Sequence, residues 1–123
     1  MYEVAVQGSF CATHQVALPD GAMEPLHGHD WGVTAVWGGR QLDAGGMVVD
    51  FDEVRRLLTG LLAELNHSSL NEHPWFGGLS ASAERVARVV FERLESGLGS
   101  GGPSLVSVTV SEAPNCSATY RRD

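Results

Sequence analysis

In the stretch HGHDWGVTAVWGG, residues 27–39, ring-bearing and apolar side chains alternate with residues that are mostly glycine or polar. A period of two is typical of a β-strand with one buried face, because successive side chains of a strand point to opposite sides. The glycine pair at 38–39 marks the end of this strand. One face of the strand carries His27, His29, Trp31, Val33, Ala35 and Trp37.

A second alternating stretch precedes it at the N-terminus. Its shared face carries Tyr2, Val4, Val6, Phe10, Ala12 and His14. Gly8 has the same parity but no side chain, which predicts a β-bulge at this point. The intervening segment ALPDGAMEP, residues 17–25, is rich in turn-forming residues. We therefore expect two strands joined by a loop.

Three histidines of these strands form a candidate metal site. His27 and His29 project to the same side about 6–7 Å apart along the strand, with only Gly28 between them. If the two strands form a hairpin, His14 comes opposite this pair. Three histidines leave one position of a tetrahedral ion open, which is the arrangement of a catalytic zinc. The alternative is a set of hydrogen-bonded core histidines, and the pattern by itself leaves both open.

The middle of the chain changes to a helical period. Apolar residues recur there at positions Phe51, Val54, Leu58, Leu61 and Leu65. Asp50 followed by Glu53 fits a capping box at the start of this helix. A second helix begins after Ser80 or Ser82, either of which is a suitable N-cap. Its predicted core face consists of Ala83, Val86, Ala87, Val90 and Leu94.

The C-terminal part alternates again, over residues 104–112, and a last strand is predicted at residues 116–120. Residues 96–103 are rich in glycine and serine and predict a loop. The order β-β-α-α-β-β indicates an α+β domain, with a four-stranded antiparallel sheet and two helices on one face. The length of 123 residues fits one domain, residues 1–123. Such a sheet has open edges, which we expect to pair with other copies of the chain.

Composition narrows the choice of partners and compartment. The net charge is -7 and every basic residue is an arginine, so nucleic acid and anionic membranes are poor candidates. No apolar run approaches the ~18 residues of a membrane span, and no leader pattern precedes the first strand. We therefore expect a cytoplasmic protein. Its two cysteines, Cys11 and Cys116, are expected to be reduced thiols that pack as small buried apolar residues.

Six short blocks follow one another along the chain: FCATH (10–14), HGH (27–29), GGMVVDF (45–51), NHSSLN (66–71), SAERVA (82–87) and VTVSE (108–112). Together they resemble the 6-pyruvoyl-tetrahydropterin synthase family, which includes bacterial 6-carboxy-tetrahydropterin synthases. The resemblance implies a T-fold, in which the sheets of three subunits close into one β-barrel and two trimers stack into a hexamer. It also implies active sites between subunits.

The resemblance further implies roles for four residues. The family's zinc ligands correspond to His14, His27 and His29, and its pterin-anchoring glutamate corresponds to Glu112. A carboxylate suits the anchoring role, because a pterin presents its N3–H and 2-amino group as two parallel donors. The implied ligand is a reduced pterin, and the implied chemistry is that of a carbon–oxygen or carbon–carbon lyase.

The sequence departs from the family at two catalytic positions. Met23 stands where the family has a cysteine base, and a thioether has no proton to exchange. Asn66 precedes His67 where the family has an Asp-His pair. The imidazole of that pair is therefore kept at His67, but the neighbouring carboxylate is replaced by an amide. Asn66 is still able to orient the ring. Strand parity puts Cys11 on the face opposite His14, so Cys11 is not a substitute base.

Glu24 is the candidate replacement base. The pattern E-x-x-H-G-H resembles a branch of the family in which glutamate replaces the cysteine and the side chain of dihydroneopterin triphosphate is cleaved. The alternative is a solvated loop acid beside Pro25. Arg85 and Arg88 are candidates for neutralising a triphosphate, although surface arginines are commonly just solvated. By parity, Asp30 points away from the ligand face.

Three hypotheses follow from these residues. The first is a zinc-dependent lyase in which Glu24 or His67 moves the proton. Because the family's cysteine and aspartate are replaced, standard synthase activity is not expected. The second is a pterin-binding homologue without catalysis or functional zinc. The third is a purely structural T-fold oligomer.

Overall fold

The computed structural model describes residues 1–98 and 102–122, and its order of elements confirms the predicted α+β arrangement. The strands and helices are β1 (Tyr2–His14), β2 (His27–Gly39), α1 (Phe51–Ala63), β3 (Ser68–Ser69), α2 (Ala83–Glu95), β4 (Ser104–Ala113) and β5 (Cys116–Arg121). Two short 3-10 helices, Leu70–Glu72 and Pro74–Phe76, lie between β3 and α2. The predicted loop at 96–103 lies partly outside the described residues.

The sheet has the strand order β3-β1-β2-β4-β5. The four long strands pair with one another in antiparallel fashion, and β1 pairs with β2 without a break from Tyr2↔Gly39 to His14↔His27. The fifth strand, β3, was not predicted. It pairs in parallel with Ala12 and Thr13 of β1, and its two residues are too few to show a period of two. It forms because the chain turns at His67, whose φ is 60°, before running alongside β1.

Both helices cover one face of the sheet. Buried side chains alternate with exposed or half-buried ones along β1 and β2, and Trp31 and Trp37 are completely buried under the helices. Helix α1 lies against β1, and α2 lies against β4 and β5. Burial of this apolar face is the main contribution to stability. The other face of the sheet carries a polar row across four strands, formed by Gln7, Thr34, Thr109 and Thr119.

Local signals in the helices are mostly confirmed. The side chain of Asp50 accepts a hydrogen bond from the N–H of Asp52, and that of Ser82 accepts one from Arg85, so both predicted caps form. Phe51 differs from the expectation, because it is 47% exposed at the first position of α1, where the helix has not yet reached the sheet. Among the described residues, no helix combines the length and the apolarity that crossing a membrane requires.

Gly8 does not form the predicted bulge, since β1 and β2 stay in register through this residue. It instead allows α1 to approach the strand closely. A Cβ at this position would lie 2.9 Å from Cδ1 of Leu62 and 3.4 Å from Cδ2 of Leu58. The glycine is therefore a packing requirement of the helix–sheet interface.

Candidate functional site

The three histidines predicted as ligands come together at one end of the β1–β2 hairpin. His14 is the last residue of β1 and pairs directly with His27, the first residue of β2, while His29 lies two residues further along. One ring nitrogen from each lies within 4.8 Å of the others. The ring centroids are 4.5–5.1 Å apart. The hairpin register brings these side chains together on the face that the sequence predicted.

Backbone carbonyls orient two of these rings. Nδ1 of His14 lies 2.8 Å from the carbonyl oxygen of Ala81, and Nδ1 of His27 lies 2.8 Å from that of Pro25. A carbonyl only accepts, so each Nδ1 carries the proton and each Nε2 keeps a free lone pair. Metal-binding histidines are typically held in this way by an acceptor at the other ring nitrogen.

Two of the ring nitrogens are buried without a hydrogen-bond partner. They are Nε2 of His14 and Nε2 of His29. His14 is only 2% exposed, and its ring packs edge-on against Trp31. Burial and the adjacent His27 lower the pKa of His29, an effect that Glu112 partly opposes. Converging imidazole nitrogens without hydrogen-bond partners are a donor set that suits zinc, so the three histidines fit a metal ion.

His14 also lines a cavity of about 270 Å³. Oε2 of Glu112 lies 3.7 Å from Nε2 of His14, and Oε1 of Glu24 lies 3.9 Å from Nε2 of His27. Both glutamates singled out in the sequence therefore lie beside the histidine cluster. The cavity wall consists of His14, Val16, Glu24, Ser82, Ala83, Glu84, Glu112, Cys116, Ser117 and Ala118.

Glu24 is held by the loop rather than free in solvent. Its Oε1 accepts a hydrogen bond from the N–H of Val16 at 3.0 Å, and its own N–H donates to the carbonyl of Val16 at 3.0 Å. An isolated bridge between Ala17 and Met23 extends this pairing. The carboxylate is thus positioned toward the cavity, while the thioether of Met23 is 48% exposed.

His67 lies away from this cavity. It is exposed and lines a second open cavity, of about 540 Å³, which Cys11, Asp30 and His29 also line. Its N–H donates to the carbonyl of Cys11 at 2.6 Å. The side-chain oxygen of Asn66 accepts from the N–H of Cys11 at 2.8 Å, so the amide fastens the chain to β1 and its oxygen is not directed at the ring of His67.

The two arginines considered for a triphosphate are engaged elsewhere. The guanidinium of Arg85 donates to the carbonyl and hydroxyl oxygens of Ser80, at 3.1 and 2.8 Å. The guanidinium of Arg88 pairs with Glu92 at 3.3 Å and lies over the ring of Tyr120. Neither lines the cavity beside the histidines.

Both cysteines are exposed, so the expectation that they are buried is wrong. Cys11 lies on the open face of the sheet, as parity predicted, and its thiol donates to Oδ1 of Asp30 at 2.7 Å. That hydrogen bond raises the pKa of the Cys11 thiol. Cys116 lines the cavity beside Glu112. The sequence contained a signal for this placement: the Pro114–Asn115 pair turns the chain back, and Asn115 has a φ of 69°.

Comparison with known proteins shows the family of this chain. The family model described as 6-pyruvoyl tetrahydropterin synthase matches residues 3–123. The 6-carboxy-5,6,7,8-tetrahydropterin synthase of Synechocystis is 34% identical over 125 residues, which cover 98% of this chain and 93% of that protein. The chain therefore belongs to the 6-pyruvoyl tetrahydropterin synthase family.

Solved structures establish the fold. The 6-pyruvoyl tetrahydropterin synthase of Caenorhabditis elegans superposes with a TM-score of 0.83 at 22% identity, covering 99% of this chain and 96% of that one. A variant of the Plasmodium vivax 6-pyruvoyltetrahydropterin synthase, in which a catalytic glutamate is replaced by alanine, gives a TM-score of 0.79 at 20% identity, covering 99% and 98%. The α+β architecture predicted from the element order is the T-fold of these proteins.

Proposed function

We propose that this protein is a zinc-dependent lyase that acts on the side chain of a reduced pterin. One observation carries the proposal: a cluster of three histidines has two buried, unpartnered ring nitrogens, and its member His14 also lines the cavity that contains Glu112. The family's activity as a tetrahydropterin synthase supports the reaction class, and the replaced residues at 23 and 66 make the standard synthase reaction unexpected.

In this proposal His14, His27 and His29 hold the metal. Zinc bound there supplies a Lewis acid that polarises the hydroxyl oxygens of the pterin side chain. Glu112 accepts hydrogen bonds from the N3–H and the 2-amino group of the ring, and so fixes the ring relative to the histidines. The position of Glu112 on the wall of the cavity that His14 also lines supports this placement.

Glu24 is our candidate for the base that removes a proton from the side chain. Its carboxylate is positioned by Val16 and lies beside His27, so little reorganisation is needed when a ligand binds. The catalytic glutamate of the Plasmodium vivax enzyme supports a carboxylate in this role. His67 does not line the cavity that contains Glu24 and Glu112, but it shares a second cavity with His29, so a contribution from His67 would come from that side or across a subunit contact.

We also propose the assembly that the family resemblance implies: trimers that close a barrel and stack into a hexamer. The outer edge of β1 is paired over only two residues, and β5 is the last strand on the other side. Edges of this length usually pair with another strand or are covered. Light scattering on the purified protein tests the hexamer.

Two other expectations stay predictions: a single domain over residues 1–123, and a cytoplasmic location.

Metal analysis tests the proposed lyase first. We expect about one zinc per chain in untagged protein and none in His14→Ala. The metal-loaded protein is then given dihydroneopterin and dihydroneopterin triphosphate, with Glu24→Gln as the matched variant. Turnover that Glu24→Gln abolishes, while pterin affinity and zinc content persist, supports the assignment.

The alternative is a pterin-binding homologue without catalysis. Two observations favour it. The amide of Asn66 binds the backbone of β1, and His67 is exposed, so neither residue at the positions of the family's Asp-His pair has a role in proton transfer within this chain. Tight pterin binding without turnover and without zinc, even after incubation with zinc, would select this alternative over the lyase.

A further inference from the structure

The pairing of β4 with β5 shifts by one residue at the candidate pterin anchor. Ser111 pairs with Ser117, and Ala113 pairs with Cys116. Glu112 lies between these two pairs on β4, whereas their partners on β5 are adjacent in the chain. Glu112 is therefore the extra residue of a β-bulge and has no partner of its own on β5. Bulges of this kind often lie next to binding sites, where they set the direction of a side chain.

The direction of Glu112 matters for its role in the proposed complex. Two parallel hydrogen bonds to the pterin ring require a carboxylate that is held in one orientation. The side chain of Glu112 is 32% exposed, so packing alone does not hold it. The backbone beneath the side chain must then supply part of that order, because a binding group is only as well placed as its support.

One hydrogen bond spans the bulge. The hydroxyl of Ser111 donates to the carbonyl oxygen of Ala113 at 3.0 Å, and so joins the residues on either side of Glu112. This bond is half-buried, which limits competition from water. The turn that follows holds Asn115 at a φ of 69°, a conformation that asparagine tolerates better than most residues. The backbone around Glu112 is thus fixed on both sides.

Ser111 supports the bulge from the face of the sheet opposite the cavity. It has the parity of Thr109, whose hydroxyl bonds that of Thr119 on the open face at 2.7 Å. Glu112 has the parity of the buried Val110 instead. Ser111 also stands outside the residues that form the cavity wall. An effect of the Ser111 hydroxyl on ligand binding would therefore pass through the backbone of Glu112.

We propose that Ser111 is a positioning residue for the pterin anchor, and that its hydroxyl holds the carboxylate of Glu112 in place by closing the bulge. This inference rests on the proposed function and adds to the site a residue that does not touch the ligand. Without the hydroxyl, the bulge loses a hydrogen bond and gains freedom. The carboxylate then faces the two ring donors in a smaller fraction of conformations, and the apparent affinity falls by that fraction.

Calorimetry with dihydroneopterin on the full-length assembled protein tests this role. We expect Ser111→Ala to bind about three- to tenfold more weakly than the wild type, which is the effect of one hydrogen bond. Ser111→Thr keeps the hydroxyl and should restore the affinity. The added methyl group has room beside Gly32, where even a Cβ would lie 3.7 Å from that of Ser111. Ser107→Ala is the matched control, because it removes a buried hydroxyl from the same strand away from the bulge.

A double-variant cycle with Glu112→Gln identifies the route of the effect. If Ser111 acts through the carboxylate of Glu112, Ser111→Ala should weaken binding by less than about twofold once Glu112→Gln is present. Two independent effects would multiply instead. Zinc content, measured in all variants, should stay at the wild-type value, since the histidines lie on β1 and β2.

The outcomes are distinguishable. Wild-type affinity in Ser111→Ala overturns the positioning role and leaves the anchoring role of Glu112 standing. A loss of affinity that Ser111→Thr or Ser107→Ala shares, or that multiplies with the loss in Glu112→Gln, overturns the route through the bulge. Unchanged affinity in Glu112→Gln overturns both the anchor and its positioning residue. Failure of the wild type to bind dihydroneopterin overturns the proposed function as well.

Discussion

The substitution Glu112→Gln exchanges one carboxylate oxygen on the cavity wall for an amide nitrogen. In the proposed complex, both carboxylate oxygens accept hydrogen bonds from parallel donors of the pterin ring. The amide keeps one acceptor, but its NH₂ group faces the second donor of the ring. One charge-assisted hydrogen bond is lost, and one donor of the ligand is left without an acceptor.

The structure sets the size of this effect. A hydrogen bond to a charged group contributes roughly 1.5–3 kcal/mol, and a buried unsatisfied donor costs about 1–3 kcal/mol. The side chain of Glu112 is 32% exposed without a ligand, so water satisfies part of the mismatch and the lower half of this range applies. We expect a loss of about 2.5–4 kcal/mol, which corresponds to roughly 60- to 1000-fold weaker binding.

Calorimetry with dihydroneopterin measures this loss directly. Glu84→Gln is the control, because it makes the same chemical change on the same wall at a residue without an assigned contact to the ring. We expect that variant to change the affinity for dihydroneopterin by less than about threefold. Zinc content should be the same in both variants. Wild-type affinity in Glu112→Gln, with zinc content unchanged, would refute the anchoring role of this carboxylate.

Four further predictions concern the histidine cluster, the two thiols and two glycines. His14→Ala should reduce bound zinc from about one per chain to none by elemental analysis, since two ligands rarely hold the ion; retained zinc would contradict the three-histidine site. A maleimide should label both thiols of the free protein, and dihydroneopterin should protect Cys116 but not Cys11, as peptide mass spectrometry would show; equal labelling of Cys116 with and without the pterin would place the ligand elsewhere. Gly8→Ala should lower the free energy of unfolding by about 1–3 kcal/mol in urea titration, because its Cβ would lie 2.9 Å from a leucine methyl carbon. Gly60→Ala should raise the free energy of unfolding by about 0.5–1 kcal/mol, because Gly60 lies within α1, alanine favours the helix, and the added Cβ would meet no packed neighbour within 4 Å. A destabilised Gly60→Ala would show that helix propensity does not govern this position.

Much of the fold was predictable because its signals are local. The period of two in residues 27–39 requires only that one face of the strand be buried, and both helix caps depend on a side chain and an N–H two or three residues away. The bulge expected at Gly8 was wrong because the reason for this glycine is not local. Glycine is needed there because α1, about 50 residues further along the chain, packs closely against the strand, and no sequence neighbour of Gly8 carries that information.

The candidate site divides in a similar way. The sequence by itself determined that His27 and His29 share a face, because strand geometry fixes the direction of residues two apart. It also determined that His14 joins them if the strands pair, and the continuous register of β1 and β2 fulfils that condition. The family resemblance pointed to Glu112 through the block VTVSE, and to Glu24 through the pattern E-x-x-H-G-H.

Only the tertiary structure decided how the remaining polar groups are distributed. It brought Cys116 to the cavity through the turn between β4 and β5, and it separated His67 from that cavity by pairing the chain with the outer edge of β1. It also turned the guanidinium of Arg85 toward Ser80. These placements depend on contacts between distant segments, and the free energy of such contacts belongs to the packed molecule rather than to any local stretch of its sequence.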